Sequence, residues 1–268
     1  MGFRQSDLHG RRFGANCSPQ RHLTVDMVVD MQNIAYGGRK SIRIESKSRY
    51  TEGLFIMEMA HMPTGCGTWP AYWLCGPDWP RGGEIDVLEG VDNQVASLTM
   101  LHTDSGCDMR WQSTSLYTGS MITPNCDVND PTQPTNAGCS IEGSYGSYGA
   151  PLNAVGGGIF ATEWTNSHIS VWFWPMGNSP ADIYSSPEPS TWGTPYAFFS
   201  LGSNCPPEHF KDHTIIFDLT FCGDWDGATF PSNCPNLGSC TDYVMLHPEA
   251  FTEAYWLVNY VKVFKRVD

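Results

Sequence analysis

Positive charge is scarce in this 268-residue chain. Fifteen lysines and arginines stand against 28 aspartates and glutamates, a formal net charge of -13. A protein that neutralises phosphates in bulk is thereby disfavoured, so nucleic acid is not the expected partner. Charge of either sign is low, at 16% of residues. No stretch approaches about eighteen uncharged apolar residues, so a helical membrane span is excluded. Helical periodicity is almost missing, and there is no internal repeat and no clean domain boundary. The G-x-S-x-G elbow, the P-loop and the H-E-x-x-H motif are all lacking. Each of the eight histidines stands alone, which disfavours histidine-based nucleophile schemes. The N-terminus lacks the apolar run of about 7–15 residues that a secretory leader carries.

What is present is a chain of strands, turns and aromatics: 27 glycines, 19 prolines and 13% Phe, Trp and Tyr. At this length a single core can bury roughly 70–75% of the unfolded surface. Short segments alternate with period two. Ile42 and Ile44 oppose Arg43 and Glu45; Phe55 and Met57 oppose Ile56 and Glu58; His213, Ile215, Phe217 and Leu219 oppose Thr214, Ile216 and Asp218; Val261 and Val263 oppose Tyr260, Lys262 and Phe264. Each is a strand signal. Ile169, Val171 and Phe173 alternate with Ser170, Trp172 and Trp174, so one face of that segment carries two indoles that a solvent face does not need. The one helix expected is short, Pro248 to Tyr255. Residues 103–158, 175–195 and 223–240 read as long turn-rich loops. The expectation is one antiparallel all-β domain, a sandwich or barrel.

The ten cysteines lie scattered through such loops. An even number in that setting reads as disulfides in a secreted protein, with the pairing left open, and no histidine stands beside Cys234 and Cys240 in zinc-ligand spacing. The opening residues disagree with that compartment. A mature or engineered form, a non-classical export substrate and a wrong first exon all account for them, and the last is favoured, because a basic opening precedes an acidic remainder. The sequon Asn16-Cys17-Ser18 falls in this stretch.

The segment Gly82-Gly83-Glu84-Ile85-Asp86-Val87-Leu88-Glu89-Gly90 is the most informative. On a regular strand Glu84 and Asp86 share a face and Glu89 points the other way. One extra residue, a bulge near Val87-Leu88, brings Glu89 back to their side. The outer two then lie roughly 13 Å apart at Cα, a gap that long side chains on a concave surface narrow. A carboxyl separation of about 5–5.5 Å suits double-displacement glycoside hydrolysis. A solvated strand face and a calcium site are the competing readings. Crowded carboxyls repel, so one stays protonated near neutrality and the segment offers an acid and a nucleophile together. Trp69, Trp73 and Trp79 precede the acids, and Trp225 stands in the polar stretch Cys222-Gly223-Asp224-Trp225-Asp226-Gly227; exposed indoles stack on pyranose rings, whereas buried ones are core. His102 ends a strand soon after the acids and is either their neighbour or a structural histidine.

The stretch from Gly65-Cys66-Gly67-Thr68-Trp69-Pro70-Ala71-Tyr72-Trp73 through Asp78-Trp79-Pro80 to the acid segment resembles glycoside hydrolase family 16, most closely its fungal laminarinase-like endo-β-1,3(4)-glucanases. Further similarity runs through Leu101-His102-Thr103, Trp192-Gly193-Thr194-Pro195 and Phe221-Cys222-Gly223-Asp224-Trp225, covering roughly residues 38–266. The resemblance implies a concanavalin A-like β-jelly-roll sandwich with the substrate on its concave sheet. It implies Glu84 as nucleophile, Glu89 as general acid/base and Asp86 as the acid that orients and tunes Glu84. It implies Trp73 and Trp79 as glycone-side platforms, Trp225 as an aglycone-side aromatic and His102 as a neighbour of the nucleophile. The partner would be a β-glucan, with no cofactor or metal, and the protein a secreted monomer. Glucan transglycosylation, a non-catalytic glucan-binding wall protein and an unstable truncated product are the alternatives. Residues 1–37 fit the resemblance poorly and are set apart from a catalytic domain at 38–268. A missing early strand there would leave the last strand, around Val261 to Phe264, with an unpaired edge. Cys17 and Cys75 are additional to the eight cysteines that fit.

Overall fold

The computed structural model describes residues 3–6 and 24–266. Fourteen strands occur among these residues: β1 (Phe3–Ser6), β2 (Val25–Val28), β3 (Ile42–Glu45), β4 (Gly53–His61), β5 (Thr68–Cys75), β6 (Glu84–Glu89), β7 (Leu98–His102), β8 (Ser120–Thr123), β9 (Cys139–Glu142), β10 (Gly158–Trp164), β11 (His168–Pro175), β12 (Ala197–Ser200), β13 (Thr214–Phe221) and β14 (Tyr255–Arg266). They form two seven-stranded antiparallel sheets. One runs β3-β13-β5-β6-β7-β9-β8. The other runs β1-β14-β4-β10-β11-β12, with β2 also on β14. This is the jelly-roll sandwich that the alternation and the resemblance lead one to expect.

Period-two patterning explains the core. Tyr72 and Leu74 of β5, Ile85 of β6, Ile215 and Phe217 of β13, and Phe55, Met57 and Met59 of β4 all lie buried between the sheets. Each such side chain contributes about 1.5–3 kcal/mol through burial. The second face of β4 is also covered. Leu54 and Ile56 join Trp172, Ile183 and Trp192 in a separate cluster on the outer side of that sheet. The turn-rich segment 175–195 crosses over it. Trp192 meets Trp172 and Trp174 edge to face, at 5.4 and 5.3 Å between ring centroids, and its N–H donates to Asp182. The two indoles on the far face of β11 therefore pack under this strap.

Four disulfides hold the long loops: Cys66–Cys234, Cys107–Cys205, Cys126–Cys139 and Cys222–Cys240. Cys75 is a free thiol. Cys17 and the sequon at Asn16 lie outside the described residues.

Three expectations need correction. Pro248 to Tyr255 is not a helix; only Pro248–Phe251 make a 3-10 turn, and Tyr255 opens β14. Helices occur instead within two stretches read as loops, α1 (Gly149–Ala154) and α2 (Gly223–Asn233), and, from the end of the second onward, α3 (Cys240–Leu246). Pro231 inside α2 and its glycines hide that helix from any propensity argument. Phe230 and the Cys222–Cys240 bridge hold it instead. Finally, β14 does not carry a bare edge. β1 pairs with Val263 to Arg266, and β2 pairs with Tyr255 to Val258.

Candidate active site

The acids stand on β6, in the middle of the first sheet. Gly83, just before Glu84, has φ +74°, and a Cβ there would lie 2.4 Å from the His209 carbonyl oxygen. The turn into the acid strand thus requires glycine. Along β6 the register with β7 pairs Asp86 with Met100 and Glu89 with Leu98, so two residues of β6 oppose the single Thr99. The register with β5 skips between Tyr72–Leu88 and Trp73–Asp86. This is the bulge that the E-x-D-x-x-E spacing demands, at Val87-Leu88. Both bulged side chains are buried in the core. The Val87 carbonyl receives Thr99 Oγ1 at 3.0 Å and the Tyr196 hydroxyl at 3.1 Å, so the irregular backbone keeps its hydrogen bonds. Glu84, Asp86 and Glu89 consequently share one face.

On the neighbouring β5 the same face carries Trp69, Ala71, Trp73 and Cys75, whose Cα partners on β6 include Glu89 (with Ala71), Asp86 (with Trp73) and Glu84 (with Cys75). The indole N–H of Trp69 donates to Glu89 at 2.7 Å, and that of Trp79 donates to Glu84. Trp79 is 45% exposed and reaches Glu84, five residues further on, from the turn that leads into β6. Trp73 donates to Asp218 of β13 at 3.3 Å, and the Arg43 guanidinium of β3 lies 4.6 Å from its ring centroid. One face of this indole is therefore covered. Nε2 of His102, on β7, lies 3.1 Å from Asp86. Trp225 is not in a loop but on α2, half-buried, with its ring edge-on to Trp69 at 5.7 Å. The seven residues expected at the site are thus all brought to one region, Trp79 at its Glu84 end and Trp225 at its Glu89 end.

The electrostatics follow from crowding in a dry place. Burial, then the Asp86 charge, push Glu84 up to about 8, against the opposing pull of His102 and the Trp79 N–H. Burial likewise pushes Asp86 up to about 8; its hydrogen bond with Glu84 opposes this, and Asp218 adds to it. Burial first and the Asp86 charge second hold Glu89 well above the carboxylate range. Asp218 rises to about 6 through burial, with Arg43 and Trp73 opposing. At neutral pH these carboxyls cannot all be ionised. A proton held between Glu84 and Asp86, and another on Glu89, would relieve this crowding.

Asp218, Arg43 and Cys75 were not singled out, and Trp69 was named only among the indoles that precede the acids, without a site role. Two-residue spacing from Trp73 puts Trp69 and Cys75 on the acid face, and Asp218 lies on the non-core side of its alternation, so a weak signal existed for three of them. Cys75 is pushed up to about 12 by burial, then by Glu84 and Asp86. It is expected to react with iodoacetamide at neutral pH about a thousandfold more slowly than a free thiol. Peptide mass spectrometry against time measures this, and labelling at the free-thiol rate would contradict it.

A family model described as the XgeA-like, catalytic GH16 domain matches residues 13–264. The chain belongs to glycoside hydrolase family 16. This family 16 chain is 44% identical over 255 residues to an endo-1,3(4)-beta-glucanase of Arthroderma benhamiae, an alignment covering 92% of this chain and 55% of that protein. It spans only 36% of a probable endo-1,3(4)-beta-glucanase of Aspergillus clavatus, also 44% identical. Among solved structures it is similar to laminarinase 16A of Phanerochaete chrysosporium, which holds β-glucans in donor and acceptor sites: TM-score 0.84, 43% identity, 90% of this chain and 83% of that one. It is also similar to an elongating family 16 β-1,3-glucosyltransferase: TM-score 0.83, 38% identity, with the same two coverages.

Proposed function

We propose that this chain is an endo-acting, retaining β-glucan hydrolase, cutting internal β-1,3 bonds and also β-1,4 bonds of mixed-linkage chains. The observation that carries this reading is the placing of Glu84, Asp86 and Glu89 on one face of one bulged strand, in a sheet lined by Trp69, Trp73 and Trp79. The similarity to a 1,3(4)-glucanase and to a laminarinase supports the substrate class.

In this mechanism the shared proton rests on Asp86, which leaves Glu84 as the carboxylate and hydrogen-bonds to it. Glu84 attacks the anomeric carbon. Glu89, protonated because it is buried beside Asp86, gives its proton to the departing glycosidic oxygen. Glu89, now a carboxylate, takes a proton from water, and that water displaces Glu84 from the anomeric carbon. Two inversions restore the β configuration. Trp79 and the open face of Trp73 serve the glycone side, Trp225 serves the aglycone side, and His102 sits against Asp86 to hold its orientation. Four disulfides fit an oxidising, extracellular setting.

Transfer to a second glucan is the other reading, favoured by the likeness to the elongating glucosyltransferase. The same three acids serve both, and only the acceptor differs. Proton NMR of laminarin during the first turnovers, with the product lengths followed in parallel, tests both readings. Hydrolysis predicts β-anomers first and products shorter than the substrate. Products longer than the substrate would establish transfer, and α-anomers first would overturn the retaining mechanism.

A further inference from the structure

Glucan cleavage at the acids uses neither the two outward indoles of β11 nor the stretch Trp192-Gly193-Thr194-Pro195 that closes the strap. Trp192 stands perpendicular to both Trp172 and Trp174. Where the strap ends, these three indoles and the Tyr196 ring floor a cavity of about 150 Å³. Thr118, Ser144 and Thr194, all exposed, stand around it. Thr118 comes from the segment before β8, Ser144 from the turn after β9 and Thr194 from the strap itself. No charged side chain lines the cavity. The acids lie elsewhere, on the non-core face of the first sheet, whereas Trp172 and Trp174 lie on the outer face of the second.

Core packing accounts for two of the three indoles. Trp172 is buried and donates its N–H to the Gly193 carbonyl at 3.0 Å. Trp192 is buried and donates to the Asp182 carboxylate at 3.0 Å. Trp174 is different. It is only half-buried, and among the described residues its N–H has no hydrogen-bond partner. The same holds for the hydroxyls of Thr118, Ser144 and Thr194. An aromatic floor is thus ringed by one N–H donor and three hydroxyls that both donate and accept. A neutral sugar ring matches this composition, with its C–H face for the indole and its hydroxyls for the rim. An ion finds no opposite charge here, and an apolar ligand would leave the rim unpaired. A dry cavity of about this size takes one benzene ring, so the space suits a single six-membered ring.

The floor is also fixed in advance. The Tyr196 N–H donates to the Val171 carbonyl at 3.0 Å, and its own carbonyl accepts the Gly119 N–H at 2.9 Å. Its hydroxyl crosses the core to the Val87 carbonyl at 3.1 Å. A Cβ on Gly143, beside Ser144, would lie 3.4 Å from its ring. Little ordering is therefore left for a ligand to impose.

We propose that this cavity is a carbohydrate site outside the cleft: it holds one pyranose unit of a neutral glucan against Trp174, ringed by the hydroxyls of Thr118, Ser144 and Thr194, and so tethers the protein to the polymer that the cleft cuts. Naming the sugar as part of a β-glucan rests on the hydrolase reading; the cavity's fitness for a neutral sugar does not.

The test uses the full chain carrying Glu84→Gln, so that ligand is not consumed. Indole N–H resonances are followed by proton–nitrogen NMR while laminaribiose is added. Trp174→Phe identifies the cavity's resonance by its loss, and Trp79→Phe identifies the cleft's. Both resonances are expected to move and saturate. Thr194→Phe places a bulky ring at an exposed position on the cavity's rim, and Ser144→Phe does so from a different segment. In each, the Trp174 resonance should stay still on addition of sugar while that of Trp79 still moves. Affinity electrophoresis in laminarin should show about a tenfold loss for both variants, because one of two contacts on the same polymer is gone. A Trp174 resonance that stays still in the parent while that of Trp79 moves overturns the proposal. So does one that moves as far in both blocked variants as in the parent. If neither resonance moves with laminaribiose, the glucan reading fails, and maltose and lactose take its place: a Trp174 resonance that ignores these too overturns the sugar site.

Discussion

Glu84→Gln is expected to abolish laminarin cleavage, by roughly 10⁵-fold or more, since the variant has no nucleophile to hold the glycosyl group. The fold should survive. A glutamine oxygen still accepts the Trp79 N–H, and its amide donates to Asp86 in place of the shared proton. Stability should in fact rise. The proton shared by Glu84 and Asp86 is held in the folded state up to about 8, against an ordinary value of 4.5 for Glu84. Such a group contributes its full stability below the unfolded value and loses it as pH climbs from about 4.5 through about 8. At pH 7 the variant should therefore melt higher than its parent, by about 2–4 °C for each kcal/mol recovered. Near pH 4 the two should converge. Calorimetric melting at both pH values, beside reducing-sugar release, measures the effect. Retained hydrolysis in the variant would remove Glu84 from the chemistry.

Glu89→Ala is expected to separate the two half-reactions. Laminarin cleavage should fall by about 10³-fold, within the range a positioned general acid supplies. An aryl β-glycoside with an activated leaving group needs no proton to depart, so its first step should be nearly unimpaired and a burst of phenolate should appear. The glycosyl enzyme would then persist, because no base remains to activate water. Azide ion should rescue it and yield the β-glycosyl azide. Burst kinetics and product NMR measure both effects. A variant that loses the activated substrate as fully as laminarin would show that Glu89 acts on binding rather than on proton transfer.

Legibility in the sequence followed the range of the interaction. The acid face could be read because strand parity is local arithmetic: residues 84 and 86 agree, residue 89 does not, and one extra residue mends it. The strands of the core could be read for the same reason. Trp225 was read as a loop residue because Gly223, Gly227 and Pro231 argue against the helix that Phe230 and a disulfide impose from outside. Arg43 on Trp73, and Trp73 on Asp218, depend on which strands become neighbours, and β3-β13-β5 is an order that no local pattern encodes. Disulfide pairing is non-local too: Cys66 finds Cys234 across 168 residues.

The cross-links have a consequence for the chain as a covalent object. The Cys126–Cys139 bridge lies within the span of Cys107–Cys205, and that within the span of Cys66–Cys234, while Cys222–Cys240 overlaps the far end of the largest. A single proteolytic cut at any peptide bond between residues 66 and 240 therefore leaves its two fragments tethered. The turn-rich stretches 103–158, 175–195 and 223–240, with the strap bearing Trp192 and the helix bearing Trp225, fall inside that interval. Nicked molecules would migrate as intact protein until a reductant is added, and both cleft walls would stay attached to the strand that holds the acids.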